Sequence, residues 1–226
     1  MNRTFALTCF SVALAVTGCS PGAADAGPFI AAPAAFTQAE EKHGQEIAVF
    51  AGGCFWSVEA VFSHVKGVSS VVSGYHGGTQ RSARYDLVTS GITDHVEAVR
   101  ITYDPAVIRY DQLLQVFFSV VANPTLGNGQ RPDIGSEYTA QVIPVSAQQL
   151  SVAKAYLAQL KTASLWSAPI VTPIVRAQAF YSAEQEHQDF AARKPRHGYV
   201  QRWSTPKVAA LKRLYPGVYS ATFRRG

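Results

Sequence analysis

Sulfur-bearing and charged residues are both scarce in this chain of 226 residues. It contains one methionine, Met1, and three cysteines, Cys9, Cys19 and Cys54. Three cysteines at these spacings form neither a zinc ribbon nor a disulfide framework. Only 15% of the residues are charged, the net charge is +5, and the whole-chain excess shows no dense basic cluster. This composition argues against a protein that binds nucleic acid.

Hydrophobic residues are abundant instead. They make up 47% of the chain, and aromatic residues make up 11%. This is the composition of a globular protein, and a chain of this length buries a sizeable core without disulfides or metals. Strand and helix patterns are mixed with no regular βαβ series, so the sequence predicts a single domain of the α+β class.

No apolar run near the N-terminus is long enough to cross a bilayer. Residues 4–17 are apolar and follow the positive charge of Arg3, but a membrane-spanning helix needs about 20 residues. This pattern predicts a signal peptide over residues 1–18. The run ends Val-Thr-Gly-Cys at Cys19, which resembles the bacterial lipoprotein signal, whose cysteine is lipidated and becomes the mature N-terminus. The alternative is an ordinary signal peptide with an incidental cysteine.

Residues 19–45 are rich in Ala, Pro and Gly and show no apolar period. They are predicted to form a tether between lipid and domain, a coil spanning about 25–30 Å. The catalytic domain is then 46–226. The resemblance implies a periplasmic protein anchored to a bacterial membrane by its N-terminal lipid, and Ser20 after the cysteine indicates the outer membrane.

The rest of the chain alternates between periodic segments and Gly-rich or polar loops. Capping patterns open two of the helices, at Ser146 with Gln149 and at Ser182 with Gln185. The predicted strands are 46–51, 68–73, 96–103, 138–145 and 171–176; the predicted helices are 54–65, 110–121, 146–161, 182–193 and 205–214; the predicted loops are 74–91 and 123–136.

Cys54 lies where a predicted strand meets the N-terminus of a predicted helix, directly after Gly52-Gly53. The unpaired amides of a helix N-terminus favour the thiolate, which is the nucleophilic form. The alternative is a buried structural cysteine. Phe55 and Trp56 follow, and because both cannot face the core, at least one of them is expected to wall an apolar pocket.

Glu97 lies on the apolar face of the strand 96–103. Burial raises the pKa of a carboxyl group, and a carboxyl that is protonated near neutral pH can donate a proton. The alternative is an ion pair with a buried arginine. Tyr75, Tyr85 and Tyr138 lie in or beside loops, where they either donate hydrogen bonds or only pack.

A thiolate, an apolar cage and a neutral acid suit acyl or nitrile chemistry, or attack on an electrophilic sulfur or a peroxide oxygen. The six histidines show no signature that links one of them to Cys54, and no HExxH motif. We therefore expect neither a Cys-His dyad nor a metal site.

Several blocks resemble the A-type peptide methionine sulfoxide reductases, in order and spacing, from about Ile47 to about Arg193. The family has a two-layer α+β fold with a mixed sheet, and it reduces the S epimer of methionine sulfoxide, free or in proteins. The blocks are 51–56 (AGGCFW), 74–78 (GYHGG), 95–97 (HVE), 103–105 (YDP), 123–125 (NPT), 133–135 (DIG) with Tyr138, 183–184 (AE) and 187–188 (HQ).

The resemblance implies a role for each residue of the site. The sulfoxide oxygen must be protonated before it can leave, and attack by the cysteine yields methionine and a sulfenic acid. By position, Cys54 attacks the sulfur, Glu97 protonates the oxygen, Tyr85 and Tyr138 hydrogen-bond that oxygen, Phe55 and Trp56 hold the S-methyl group, and Asp133 supports the site electrostatically.

The sequence departs from the family pattern at Ser57, where glycine is common, and at Glu137, Thr139 and Ala140 around the second tyrosine. It also has no resolving cysteine in a C-terminal tail. We therefore expect no cofactor, and recycling by an external dithiol such as a thioredoxin-like protein.

Two rival functions use the same features. The first is a thiol peroxidase, although peroxide needs no methyl cage. The second is a lipoprotein adaptor that binds oxidised proteins without turning them over.

Overall fold

Five strands and six α-helices organise the computed structural model, which describes residues 29–40 and 44–226. The predicted signal peptide and Cys19 lie outside the described residues. The strands are β1 (Glu46–Gly52), β2 (Val68–His76), β3 (Val96–Tyr103), β4 (Ala140–Ile143) and β5 (Phe180–Ser182), and the α-helices are α1 (Phe55–Phe62), α2 (Tyr85–Val88), α3 (Tyr110–Val116), α4 (Ala147–Ala163), α5 (Phe190–Arg193) and α6 (Thr205–Leu214).

The strands form one sheet in the order β4-β1-β3-β2-β5, and each ladder between them is antiparallel. A parallel contact is present as a bridge between Val142 and Ile174. The register places Glu97 opposite Tyr75 across β3 and β2. The α+β prediction is confirmed, and Glu97 lies on the central strand of the sheet.

The two faces of the sheet are covered differently. Alternate residues of β3, including Glu97, Val99 and Ile101, point to the face on which the helices pack. There Phe50 of β1 stacks on Phe62 and Phe117, with ring centroids 5.5 and 5.1 Å apart. A smaller cluster covers the opposite face, formed by Val49, Ala51, Val96, Ala98 and Ile143 with Val175, Ala177 and Phe180. The result is a helical layer on a sheet whose back is closed by an irregular segment.

The strands predicted around residues 46–51, 68–73 and 96–103 and the helix at 205–214 are found within a few residues of their predicted bounds. The helix predicted at 110–121 is present as α3 and continues as a five-residue π-helix over Phe117–Val121. Ser146 caps α4, because its hydroxyl accepts a hydrogen bond from the amide of Gln149. No helix of the described residues is long and apolar enough to cross a membrane.

Three predicted segments are wrong. The predicted loop 74–91 contains the end of β2 and the whole of α2. Residues 171–176 form no strand, because Pro173 has no N–H to donate to a ladder, and only the bridge at Ile174 remains. The helix predicted at 182–193 is divided into the end of β5, a 3-10 turn over Gln185–His187, and α5. Asp189 has a φ of +52° there, which interrupts a right-handed helix.

The predicted free tether is also corrected within its described part. Residues 29–40 have no regular secondary structure, but they lie against the domain instead of leaving it. The amide of Ala32 donates to Ser119 Oγ and the amide of Ala39 to Asp111 Oδ1, both at 2.9 Å, and Tyr156 donates to the carbonyl of Pro33 at 2.7 Å. Small alanine side chains permit this close approach. We call residues 29–40 the N-terminal strap.

Candidate active site

The turn that presents Cys54 is fixed by glycine. Gly53 has a φ of +85°, and a Cβ at this position would lie 2.6 Å from the Cβ of Gln130. Gln130 is itself fixed, because its side-chain oxygen accepts from the amide of Asn123 and its nitrogen donates to the carbonyl of the same residue. The chain can therefore turn from β1 into α1 only with a residue that lacks a side chain.

The Cys54 thiol is buried and free. Burial raises the pKa of this thiol well above its usual value, and the nearby carboxyl groups of Glu97 and Asp133 raise it further. Hydrogen bonds from the Tyr199 hydroxyl and the Trp56 amide lower the pKa, but not enough to reverse the shift. The prediction of a resting thiolate is therefore wrong. The Trp56 amide at the start of α1 does lower the pKa of the thiol, but burial away from water raises it by more.

Glu97 is almost completely buried, and its Oε2 accepts a hydrogen bond from the amide of Phe55 at 2.8 Å. Burial raises the pKa of this carboxyl to about 8, although the Phe55 amide opposes the shift. Within residues 29–40 and 44–226, no arginine or lysine forms an ion pair with Glu97. The carboxyl is therefore neutral at pH 7. It is hydrogen-bonded to the amide of Phe55, the residue that follows Cys54.

The other predicted polar residues converge on the same point. The phenols of Tyr85 and Tyr138 both interact electrostatically with Cys54, Glu97 and Asp133. Burial raises the pKa of Tyr85 to about 12 and raises that of Tyr138 as well, so both hydroxyls keep their protons. Both side chains are half-buried, and each can therefore donate a hydrogen bond to a molecule beside the thiol.

The two aromatic residues after the cysteine differ in exposure. Phe55 has no exposed surface and packs against Tyr75 and His187. Trp56 is half-buried, and its ring stacks on Phe190 with centroids 3.7 Å apart. Of the two rings, only that of Trp56 is accessible to solvent, so Trp56 is the one that can line a pocket.

Tyr75 is not a loop residue, because β2 extends to His76. Its hydroxyl is buried and donates to Glu184 Oε2 at 2.7 Å. The other oxygen of Glu184 accepts from the amide of Tyr85 at 2.9 Å, at the start of α2. Tyr75 therefore acts on the site through Glu184, which holds Tyr85 in place.

Two residues of this site were missed from the sequence. Tyr199 donates its hydroxyl proton to Asp133 Oδ2 at 2.5 Å, and the same hydroxyl oxygen also interacts with the Cys54 thiol. Lys207 is buried, donates to the carbonyl of Val121 at 2.6 Å, and attracts the charges of Cys54 and Asp133. Lys207 lies on the apolar stripe of α6 with Leu211 and Leu214, and a lysine in that pattern was the available signal; nothing local distinguishes Tyr199.

Ser57, the departure from the family pattern beside the aromatic pair, has its hydrogen-bond partner in the C-terminal part of the chain. Its hydroxyl is buried and lies 2.9 Å from the hydroxyl of Ser204. In the described part of the chain, no group of three His, Cys, Asp or Glu side chains is placed to hold a metal ion.

Comparison with known proteins gives this geometry a family. A profile described as peptide methionine sulfoxide reductase matches residues 46–216. The peptide methionine sulfoxide reductase MsrA 2 of Mesorhizobium japonicum is 50% identical over 177 residues, which are 78% of this chain and 91% of that protein.

Two solved structures are also similar. Mxr1 of Saccharomyces cerevisiae in reduced form has a TM-score of 0.61 and 26% identity, and covers 69% of this chain and 91% of its own. Methionine sulfoxide reductase A of Corynebacterium diphtheriae has a TM-score of 0.57 and 28% identity, covering 68% and 77%. The chain therefore belongs to the peptide methionine sulfoxide reductase family.

Proposed function

We propose that this protein reduces methionine sulfoxide to methionine, with Cys54 as the nucleophile and Glu97 as the acid. The observation that carries the proposal is the meeting of a buried thiol and a neutral carboxyl beside the accessible ring of Trp56. A sulfoxide presents a basic oxygen, an electrophilic sulfur and an apolar methyl group. Each of these finds a complementary group in the site.

The chemistry follows from the protonation states. Glu97 gives its proton to the sulfoxide oxygen, which makes the sulfoxide sulfur electrophilic. The Cys54 sulfur bonds to it, and the thiol proton returns to the Glu97 carboxylate. The hydroxyl group then moves from the substrate sulfur to the Cys54 sulfur, as the S–O bond and the transient S–S bond of the substrate sulfur both break. The electron pair left on the substrate sulfur makes it methionine, and Cys54 becomes a sulfenic acid. The substrate sulfur gains two electrons and Cys54 loses two.

Tyr85 and Tyr138 hold the sulfoxide oxygen in this scheme, because both phenols remain protonated donors. Trp56 supplies the surface for the S-methyl group, and Phe55 supports the pocket from behind, since it has no exposed surface. Asp133 positions Tyr199 against the thiol. Lys207 stabilises negative charge that develops on the sulfur.

Recycling needs a reductant from outside the chain. Cys54 is the free cysteine of the described residues, and Cys9 and Cys19 belong to the predicted signal and its lipidation site. Two external thiols would supply two electrons and two protons, releasing water and a disulfide. A thioredoxin-like dithiol fits this role.

Purified protein should be assayed with each sulfoxide epimer and dithiothreitol. We expect turnover of the S epimer only, none in Cys54→Ala, and little in Glu97→Gln, because an amide has no proton to give. Equal turnover of both epimers would contradict the proposal, as would full activity of Cys54→Ala. Peroxide reduction much faster than sulfoxide reduction would favour the thiol peroxidase, and binding of sulfoxide without turnover would favour the adaptor.

We further propose that Cys19 carries a lipid that anchors the protein to the periplasmic side of a bacterial outer membrane. The support is the sequence around Cys19. After fractionation, the protein should sediment with membranes, and the variant Cys19→Ala should not. Equal membrane association of the two forms would contradict lipid anchoring.

A further inference from the structure

The charges of this protein are unevenly divided along the chain. Residues 190–226 contain nine lysines and arginines and no aspartate or glutamate, so all fifteen acidic residues precede them. Averaged over the chain, the same charges give a modest +5. The segment 190–226 is therefore a basic unit, and its position relative to the active site decides what the charge can do.

This basic segment begins at the wall of the active site. Phe190 stacks on Trp56, and the ring of His197 meets the same indole edge-on, with centroids 5.8 Å apart. Two residues later, Tyr199 contacts the thiol and Asp133. The residues between Phe190 and His197 are therefore held beside the surface that we assign to the methyl group.

The chain makes two turns there. The amide of Lys194 donates to the carbonyl of Phe190 at 2.8 Å, and the amide of His197 donates to the carbonyl of Lys194 at 2.9 Å. Lys194 and Arg196 are exposed. No ion pair joins either of them to a carboxylate of residues 29–40 or 44–226. Their charges therefore face solvent at the rim.

The acidic groups nearest in sequence do not neutralise this rim. Asp189 is buried, and Glu184 is bonded to Tyr75 and Tyr85. Glu186 is the exposed acidic residue of that stretch, and it forms no ion pair among the described residues. A net positive edge remains on the Phe190 side of the indole.

We propose that Lys194 and Arg196 bind acidic side chains that flank the oxidised methionine, so that the enzyme prefers methionine sulfoxide in acidic polypeptide segments. The inference rests on the proposed function, because it places the substrate methionine beside Trp56. Successive residues of an extended peptide lie about 3.3–3.6 Å apart, within reach of a lysine or arginine side chain at the rim. Complementary charge raises the rate of productive encounter and weakens with salt.

The test uses three pentapeptides with blocked ends and a central methionine-(S)-sulfoxide, flanked on both sides by Glu, Gln or Lys. Saturating dithiothreitol removes any contribution of a protein reductant. We expect kcat/KM to be about threefold to tenfold higher for the Glu peptide than for the Gln peptide, and lower for the Lys peptide, at about 50 mM salt. The ratios of kcat/KM between the peptides should approach one at about 500 mM salt.

The double variant Lys194→Gln/Arg196→Gln should lose the preference and keep the rate on the Gln peptide. A matched control is Lys154→Gln/Lys161→Gln, which removes two exposed lysines of α4 and should keep the preference. Equal rates on all three peptides would overturn the inference, and so would a preference that survives in the rim variant. Failure to reduce even the Gln peptide would instead overturn the proposed function.

Vesicles of phosphatidylglycerol provide a last arm, because a basic surface also attracts anionic lipid. If the rim variant loses vesicle binding while the peptide preference is unchanged, the rim serves a membrane surface and the inference is overturned. If the rim variant binds vesicles as the wild type does but loses the preference for the Glu peptide, the result supports the inference.

Discussion

At the scale of single residues, burial keeps the Glu97 carboxyl protonated, because ionisation would place an unpaired charge away from water. Because burial raises its pKa to about 8, the acid is available at neutral pH and is lost as the pH rises through that value. We expect the single-turnover rate of sulfoxide reduction to fall above about pH 8, measured by rapid quench with excess enzyme. A rate that keeps rising to pH 10 would contradict the acid role of Glu97.

The same residue predicts a change of stability. Between pH 4.5 and about 8 the folded protein keeps the Glu97 proton that the unfolded chain releases, so the free energy of unfolding falls with pH across this interval. Glu97→Gln removes this loss. We expect the free energy of unfolding of Glu97→Gln to be about 2–4 kcal/mol higher than that of the wild type at pH 8. Near pH 4.5 the two free energies should differ little. Urea unfolding measures both. Equal stabilities at pH 8 would show that the carboxyl is not strained.

Tyr199 lowers the pKa of the Cys54 thiol through its hydrogen bond, while Asp133 holds the phenol in place. Tyr199→Phe keeps the ring that meets Trp56 and removes only the hydroxyl. We expect the pH midpoint of iodoacetamide alkylation at Cys54 to rise and kcat/KM to fall by about tenfold. Tyr219→Phe is the control, because this ring lies by His64, and it should change neither quantity.

At the scale of elements, the β1–α1 turn decides where the thiol lies. Gly53→Ala would place a methyl group against Gln130 and would strain a left-handed backbone, so we expect a loss of about 2–4 kcal/mol of stability and most of the activity. Gly217→Ala is the matched control, because a Cβ there meets nothing within 4 Å. Urea unfolding and the sulfoxide assay report the two effects.

Elements with strong periodicity were predictable, and those set by tertiary contacts were not. The sequence of β3 places Glu97, Val99 and Ile101 at alternate positions, so its bounds and the face of Glu97 follow from the sequence, although the back-face residues Val96 and Ala98 are buried as well. Residues 182–193 carry a helix-capping pattern, but Ser182 pairs with Gly74 of β2 as the end of strand β5. Asp189 then adopts a left-handed backbone conformation, which a helix cannot contain. These long-range choices override local preference, which is weak for short segments.

At the scale of the whole molecule, the N-terminal strap is part of the folded domain. Ala35 is buried in this strap, whereas its neighbour Phe36 is 88% exposed. We expect Ala35→Asp to lower the free energy of unfolding by about 1–3 kcal/mol, because it buries a charge, and Phe36→Ser to leave it unchanged. Thermal unfolding followed by circular dichroism measures both. Equal melting temperatures for the two variants would contradict docking of the strap.

The sequence predicted Cys54, Glu97, Tyr85, Tyr138, Asp133 and Trp56 as one set, because motif order preserves their spacing. It did not predict that burial would keep the thiol protonated, since desolvation depends on atoms brought in from distant segments. Tyr199 and Lys207 come from the C-terminal part of the chain and reach the thiol only through the fold. Their contribution cannot be read from local context.

Because the N-terminal strap packs on the domain, only residues 20–28 remain as a predicted tether between Cys19 and the folded protein. Ten peptide steps separate Cys19 from Phe29, and fully extended they reach at most about 36 Å. If Cys19 carries the proposed lipid, the enzyme can therefore act only on substrates close to the membrane surface. Under that proposal, membrane-bound proteins beside the anchor would be the polypeptides within its reach.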